Sequence, residues 1–153
     1  MNLKRILAML PVAIMGATFL LQSGTAAAVE TPTSLAGATV VDADKVKSLM
    51  DSGVLLVDTR VAGEYAEAHI KGAVSIPYKE KSAKRVDFDS TKDKFKLAKL
   101  PSDKNTPFIT QCNGPSCWKS YKAAVAAVKA GYQKVYWFRE GIPAWKSKGY
   151  PVE

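Results

Sequence analysis

The sequence predicts an α/β domain with a parallel sheet. Three observations point there. Short β-rich runs, Val54-Leu55-Leu56-Val57, Phe108-Ile109-Thr110-Gln111 and Val135-Tyr136-Trp137-Phe138, alternate with stretches of helical character. The first of these runs is apolar throughout, as befits a central strand covered on both faces. At 153 residues the chain has room for one domain with a proper core.

Met1 to Ala28 reads as an export signal. Lys4 and Arg5 precede an apolar run from Ile6 to Leu21, and small residues close it at Ala26-Ala27-Ala28. Pro11, Gly16 and that ending argue against an uncleaved membrane anchor, and the leader has no Cys to carry a lipid. The leader holds two of the 22 basic residues and none of the 14 acidic ones, so the mature chain carries +6. In an exported protein that charge suits small anionic ligands or acidic partners and speaks against nucleic acid; a solvated surface balance explains it equally well.

Residues 29–38 form a polar lead-in, expected to be loose, and 39–153 the folded domain. Thr39-Val40-Val41 is a strand, and Asp42 caps a helix from Ala43 to Met50 that Gly53 ends. After the strand Val54–Val57 comes Asp58-Thr59-Arg60, then a short helix from Ala62 to Ala68 and a strand at Val74-Ser75-Ile76. Residues 79–104 are dense in Lys and Asp, with Phe88, Phe95, Leu97 and Leu100 as apolar anchors and a helix expected between Thr91 and Leu100. Following the strand at Phe108–Gln111, Tyr121, Ala124, Val125 and Val128 trace one helical face, with Lys122 and Lys129 off it and Gly131 as the stop. A strand at Val135–Phe138 and a helix beginning at Pro143-Ala144-Trp145 complete the chain.

Both cysteines lie between the strand at 108–111 and the helix after it, in Cys112-Asn113-Gly114-Pro115-Ser116-Cys117-Trp118-Lys119-Ser120. Open α/β sheets place ligand sites in such loops, and the unpaired N–H groups of a helix start favour anions and thiolates. Cys112 is therefore the candidate nucleophile, as against a buried structural thiol. Gly114 and Pro115 shape the loop, or an ordinary turn. Lys119 either attracts an anion or is an exposed helix-start lysine. Trp118 either walls a pocket or packs in the core. Two cysteines and one histidine match no zinc pattern, so no metal and no cofactor are expected.

Asp58-Thr59-Arg60, Glu64-Tyr65, His69-Ile70-Lys71-Gly72-Ala73 and Ile76-Pro77 resemble the N-terminal signature of the rhodanese family. Gly141-Ile142-Pro143-Ala144-Trp145 with Gly149-Tyr150-Pro151-Val152 resembles its C-terminal one. The likeness spans Thr39 to Val152. It implies a single rhodanese-like domain, a five-stranded parallel sheet with helices on both faces, and sulfur transfer through a persulfide on Cys112. The donor is then a small anion such as thiosulfate or polysulfide, and the acceptor a thiol or cyanide. The chain departs from the family's Cys-x-x-Gly-x-Arg-Ser loop: Lys119-Ser120 stands for Arg-Ser, two residues late. A lysine offers a point charge where arginine offers a bidentate fork.

His69 with Asp58 raises a Cys-His-Asp hydrolase set; the resemblance instead makes His69, Asp58 and Arg60 structural supports. A cysteine phosphatase needs an arginine six residues after its nucleophile, and that position is Trp118. Cys117 is a resolving thiol, a structural disulfide partner or a second free thiol. Three function classes follow: an exported sulfurtransferase, a thiol–disulfide protein using Cys112 and Cys117, and a non-catalytic binding module.

Exported material is expected to begin at Val29. N-terminal sequencing of the mature protein checks this, and an intact Met1 in a membrane fraction would overturn it.

Overall fold

The computed structural model describes residues 27–153. The leader, apart from Ala27 and Ala28, lies outside the described residues. Five strands, β1 (Ala38–Val40), β2 (Leu55–Asp58), β3 (Val74–Ser75), β4 (Phe108–Gln111) and β5 (Val135–Phe138), form one sheet. Its order is β1-β5-β4-β2-β3, and every pairing is parallel. The expected five-stranded parallel sheet is therefore present.

The order decides where chemistry can occur. From β2 the chain moves outward to β3; from β4 it moves the other way to β5. The carboxyl ends of β2 and β4 thus flank the switch point, where departing loops diverge and leave a crevice. β4 is buried at all four positions, because sheet neighbours flank it and helices cover both faces. Cys112 follows it directly, as Thr59 follows β2.

Three helices, α1 (Ala43–Asp51), α2 (Ala62–Glu67) and α3 (Trp118–Lys129), join strands, and α4 (Gly141–Ser147) follows β5. Asp42 caps α1 as expected, its carboxylate accepting from the Lys45 amide at 2.8 Å. On one sheet face Trp118, Tyr121, Ala124 and Ala127 of α3 pack with Val57, Phe108, Val135 and Trp137. On the other, Val46 of α1 and Ile142 and Trp145 of α4 pack with Leu56, Ile109 and Phe138. Among the described residues no helix is long and apolar enough to cross a membrane.

Two expectations fail in the same region. The helix expected between Thr91 and Leu100 is replaced by two 3₁₀ turns, Ser90–Lys92 and Leu97–Lys99. Lys122, placed off the buried face of its helix, is fully buried. One cause accounts for both. Asp93 accepts from the hydroxyls of Tyr78 (2.8 Å) and Ser82 (2.6 Å) and from the amides of Lys81 and Ser82 (2.7 Å each). An aspartate committed to those donors pins the connection to the β3 exit and breaks any helix through it. The Lys122 ammonium reaches the same cluster. It donates to Ser82 Oγ (2.7 Å) and the Ser82 carbonyl (3.2 Å), and lies 2.7 Å from Glu80 Oε2. The Glu80 contact is an ion pair without hydrogen-bond alignment. Burying an ammonium costs several kcal/mol unless it is paired, and here it is paired.

Burial by itself raises the Asp93 pKa, but the bonds from Ser82, Lys81 and Tyr78 outweigh it and lower the value to about 2. A depressed carboxylate contributes stability above its unfolded value of 3.8 and loses it as pH falls toward 2. Asp93→Asn should cost on the order of 2 kcal/mol at pH 6. The gap from wild type should close as pH drops from about 4 to about 2. Urea unfolding at both ends of that window checks it; a gap independent of pH would refute the assignment.

Candidate active site

The loop between β4 and α3 lies at the switch point. Cys112 and Cys117 are joined by a disulfide, with their Cα atoms 6.3 Å apart, inside the roughly 4.4–6.8 Å that disulfides bridge. The two sulfurs are unequal. Cys112 is fully buried, whereas Cys117 is partly exposed and lines a cleft of about 300 Å³.

Cys112 Sγ has a directed partner. Ser120 Oγ lies 3.1 Å from it and also 3.1 Å from the indole Nε1 of Trp137. The indole N–H can only donate, so it occupies a lone pair of the hydroxyl and leaves the Ser120 proton free to point at sulfur. Once Cys112 is reduced, that proton stabilises its thiolate. Among the described residues the amides of Asn113, Gly114 and Ser116 have no acceptor, and α3 starts without a side-chain cap. Free donors of this kind are what an anion at the loop would use.

The backbone of the loop is fixed from behind. The Ile142 amide donates both to the Cys112 carbonyl and to Gln111 Oε1, each at 3.0 Å. This approach needs glycine at the preceding residue. Gly141 has φ +59, and a Cβ there would stand 2.0 Å from the Cys112 carbonyl oxygen.

The remaining loop residues divide. Asn113 is exposed and donates to Glu64 Oε1 at 2.5 Å. Ser116, Lys119, Lys84, Glu64 and Glu80 share the cleft with Asn113 and Cys117. Larger clefts, of about 490 Å³, open away from the cysteines; we take the smaller one as the site because the sulfur lies there. Its charges are mixed, so Lys119 and Lys84 act beside two carboxylates. Trp118 is buried edge-on against Tyr121, with ring centroids 5.3 Å apart.

Asp58, Arg60 and His69 do not join the cysteines. Arg60 grips Asp58 through Nε and Nη2 (2.7–3.1 Å) and donates from Nη2 to the Ala68 carbonyl at 2.7 Å. His69 stacks on Tyr65 with centroids 3.8 Å apart, bonds the Tyr65 carbonyl through Nδ1 and places Nε2 3.5 Å from Glu153 Oε1. The Cys-His-Asp arrangement is therefore absent among the described residues.

The segment expected to be loose is instead tied across the loop. Thr31 donates from its amide and its hydroxyl to the Pro115 carbonyl, each at 2.8 Å, and Trp118 Nε1 donates to the Val29 carbonyl at 2.9 Å. Arg139 fastens the arm, donating to the carbonyls of Pro32 and Thr31 (2.9 Å each) and to the Glu30 carboxylate (3.0 Å). The sequence reading missed both. An arginine just past the carboxyl end of β5, on the ligand edge of the sheet, was the one available signal; Thr31 offered none.

A family model described as the rhodanese-like domain matches residues 42–148. Thiosulfate sulfurtransferase 18 of Arabidopsis thaliana is 29% identical over 115 residues, covering 73% of this chain and 81% of its own. The BH2092 protein of Bacillus halodurans superposes with TM-score 0.58 at 27% identity, over 75% of this chain and 76% of its own. A thiosulfate sulfurtransferase of Pseudomonas aeruginosa gives TM-score 0.57 at 23% identity; the overlap is 76% of this chain and 20% of that one, a likeness of fold.

Gly141→Ala should cost about 3 kcal/mol or more, because the new Cβ overlaps the Cys112 carbonyl at an already left-handed residue. Gly63→Ala, in α2 with nothing near its Cβ, should be close to neutral. Thermal unfolding of the two variants checks the contrast; equal melting temperatures would remove the proposed constraint.

Proposed function

Since the chain belongs to the rhodanese-like domain family, a family of sulfurtransferase type, we propose that it is an exported sulfurtransferase that carries sulfane sulfur on Cys112. The observation that carries this reading is the position of the Cys112 sulfur. It ends the central strand at the switch point and faces the Ser120 hydroxyl that Trp137 orients. The reaction starts from the reduced protein. The Cys112 thiolate attacks the outer sulfur of a donor such as thiosulfate, the sulfur–sulfur bond of the donor breaks, and sulfite leaves with the electron pair. The persulfide anion is held by the Ser120 hydroxyl and by the free amides of the loop and the α3 start. A thiol or cyanide acceptor then takes the outer sulfur and returns the Cys112 thiolate.

The burial of Cys112 supports a persulfide in a second way: it keeps the outer sulfur from bulk thiols until an acceptor enters the cleft. Lys119 and Lys84 draw the anionic donor in, working against Glu64 and Glu80. Export rests on the leader of residues 1–28 and on Cys112 and Cys117 forming a disulfide, which an oxidising compartment preserves.

Reduced mature Cys117→Ser incubated with thiosulfate and weighed should gain one sulfur and release one sulfite, and Cys112→Ser should do neither. No added sulfur on Cys117→Ser together with no sulfite from the wild type would leave the binding-module reading in its place. Lys119→Glu should raise the apparent KM for thiosulfate by about 3–10-fold at low ionic strength and flatten its salt dependence. Unchanged kinetics would make Lys119 an ordinary helix-start residue.

A further inference from the structure

We propose that Cys117 resolves the Cys112 persulfide, so that the protein releases the transferred sulfur as sulfide and draws its electrons from an external dithiol. This rests on the Cys112 persulfide reading above. The geometry that carries it is the contact between the two sulfurs. The disulfide joins Cys112, at the end of β4, to Cys117, the N-cap of α3. The Cys117 sulfur thus reaches the inner sulfur of a persulfide within the folded loop.

The step balances. The Cys117 thiolate attacks Cys112 Sγ, the bond between Sγ and the outer sulfur breaks, and hydrosulfide leaves with the electron pair. The two cysteines are oxidised to the disulfide, and the sulfane sulfur is reduced to sulfide. A dithiol then restores the protein, becoming a disulfide itself. The net reaction with thiosulfate consumes one dithiol and yields sulfite, hydrogen sulfide and the oxidised dithiol.

The unequal exposure of the sulfurs sets the direction of that last step. Cys117 lines the open cleft, while Cys112 is fully buried. A dithiol therefore attacks Cys117 Sγ. Cys112 is the leaving group, and the Ser120 hydroxyl and the helix start stabilise the departing thiolate. The reductant returns the nucleophile in its reactive form, and the partner implied is a protein dithiol small enough at its tip to enter the cleft.

The test uses mature wild type, Cys117→Ser and Cys117→Ala, each reduced with dithiothreitol, desalted and given thiosulfate without further thiol. Samples are alkylated and weighed, and free sulfite and sulfide are assayed. Wild type should release about one sulfide per chain, stop after that single turnover with both cysteines closed to alkylation, and resume when dithiothreitol is added. Both variants should keep the added sulfur and release less than a tenth of the wild-type sulfide. A wild type that holds its persulfide as long as the variants, with no sulfide released, overturns the inference and leaves the sulfurtransferase reading standing. Folded variants that take up no sulfur, with a wild type that releases neither sulfite nor sulfide, overturn the persulfide reading itself.

Discussion

The site depends on one shared amide. The Ile142 N–H bonds the Cys112 carbonyl and the Gln111 side chain together, and so ties the end of β4 to the start of α4. Only a glycine at 141 lets the two backbones come that close. With the carbonyl of Cys112 fixed, its side chain is turned inward to Ser120, and the rest of the loop must arch over it. The same turn presents Arg139 to the arm at residues 30–32, so one close approach orients both Cys112 and the arm.

The electrostatics of the site follow from pairing more than from net charge. The mature chain is basic, yet the cleft beside Cys117 mixes lysines with glutamates. Glu80 is committed to the buried Lys122, and Glu64 to Asn113, which ties the loop to α2. Among the described residues, the cleft lysines Lys119 and Lys84 have no carboxylate partner. For the proposed donor, such a site would hold a small anion by dipoles and point charges where an arginine would clamp it with a guanidinium. The Lys122 cluster also explains how a connection poor in regular structure is held in place: Asp93 collects four donors and Lys122 closes the network from beneath.

A second cysteine in the loop changes what a rhodanese-like domain can do. A persulfide with no neighbouring thiol waits for an acceptor. One with a thiol in contact decays to a disulfide, unless an acceptor arrives first. In the proposed cycle, the competition between those fates is set by how fast an acceptor reaches the persulfide compared with how fast Cys117 reaches Cys112 Sγ. The arm, the loop and the α3 start meet at Trp118, whose indole N–H holds the Val29 carbonyl.

Much of the fold was legible in the sequence because its signals are local. The all-apolar run at 54–57, the Asp42 cap and the β-rich strands before Cys112 and Arg139 are fixed by hydrophobic period and capping chemistry. The motifs resembling the rhodanese family carried the sheet and the nucleophile loop. Three features were out of reach, and each is a contact across the chain. Lys122 looked solvent-facing because helical period alone cannot foresee Glu80 and Ser82 arriving from another segment. The stretch from Thr91 to Leu100 looked helical because nothing local shows that Asp93 is claimed by Tyr78 and Ser82. Residues 29–38 looked loose because their partners, Pro115, Trp118 and Arg139, lie more than 80 positions away. Sequence determined which residue is the nucleophile candidate; the tertiary structure alone decided which sulfur is buried and which reaches the cleft, because burial is a property of the segments that pack against a residue and not of the residue itself.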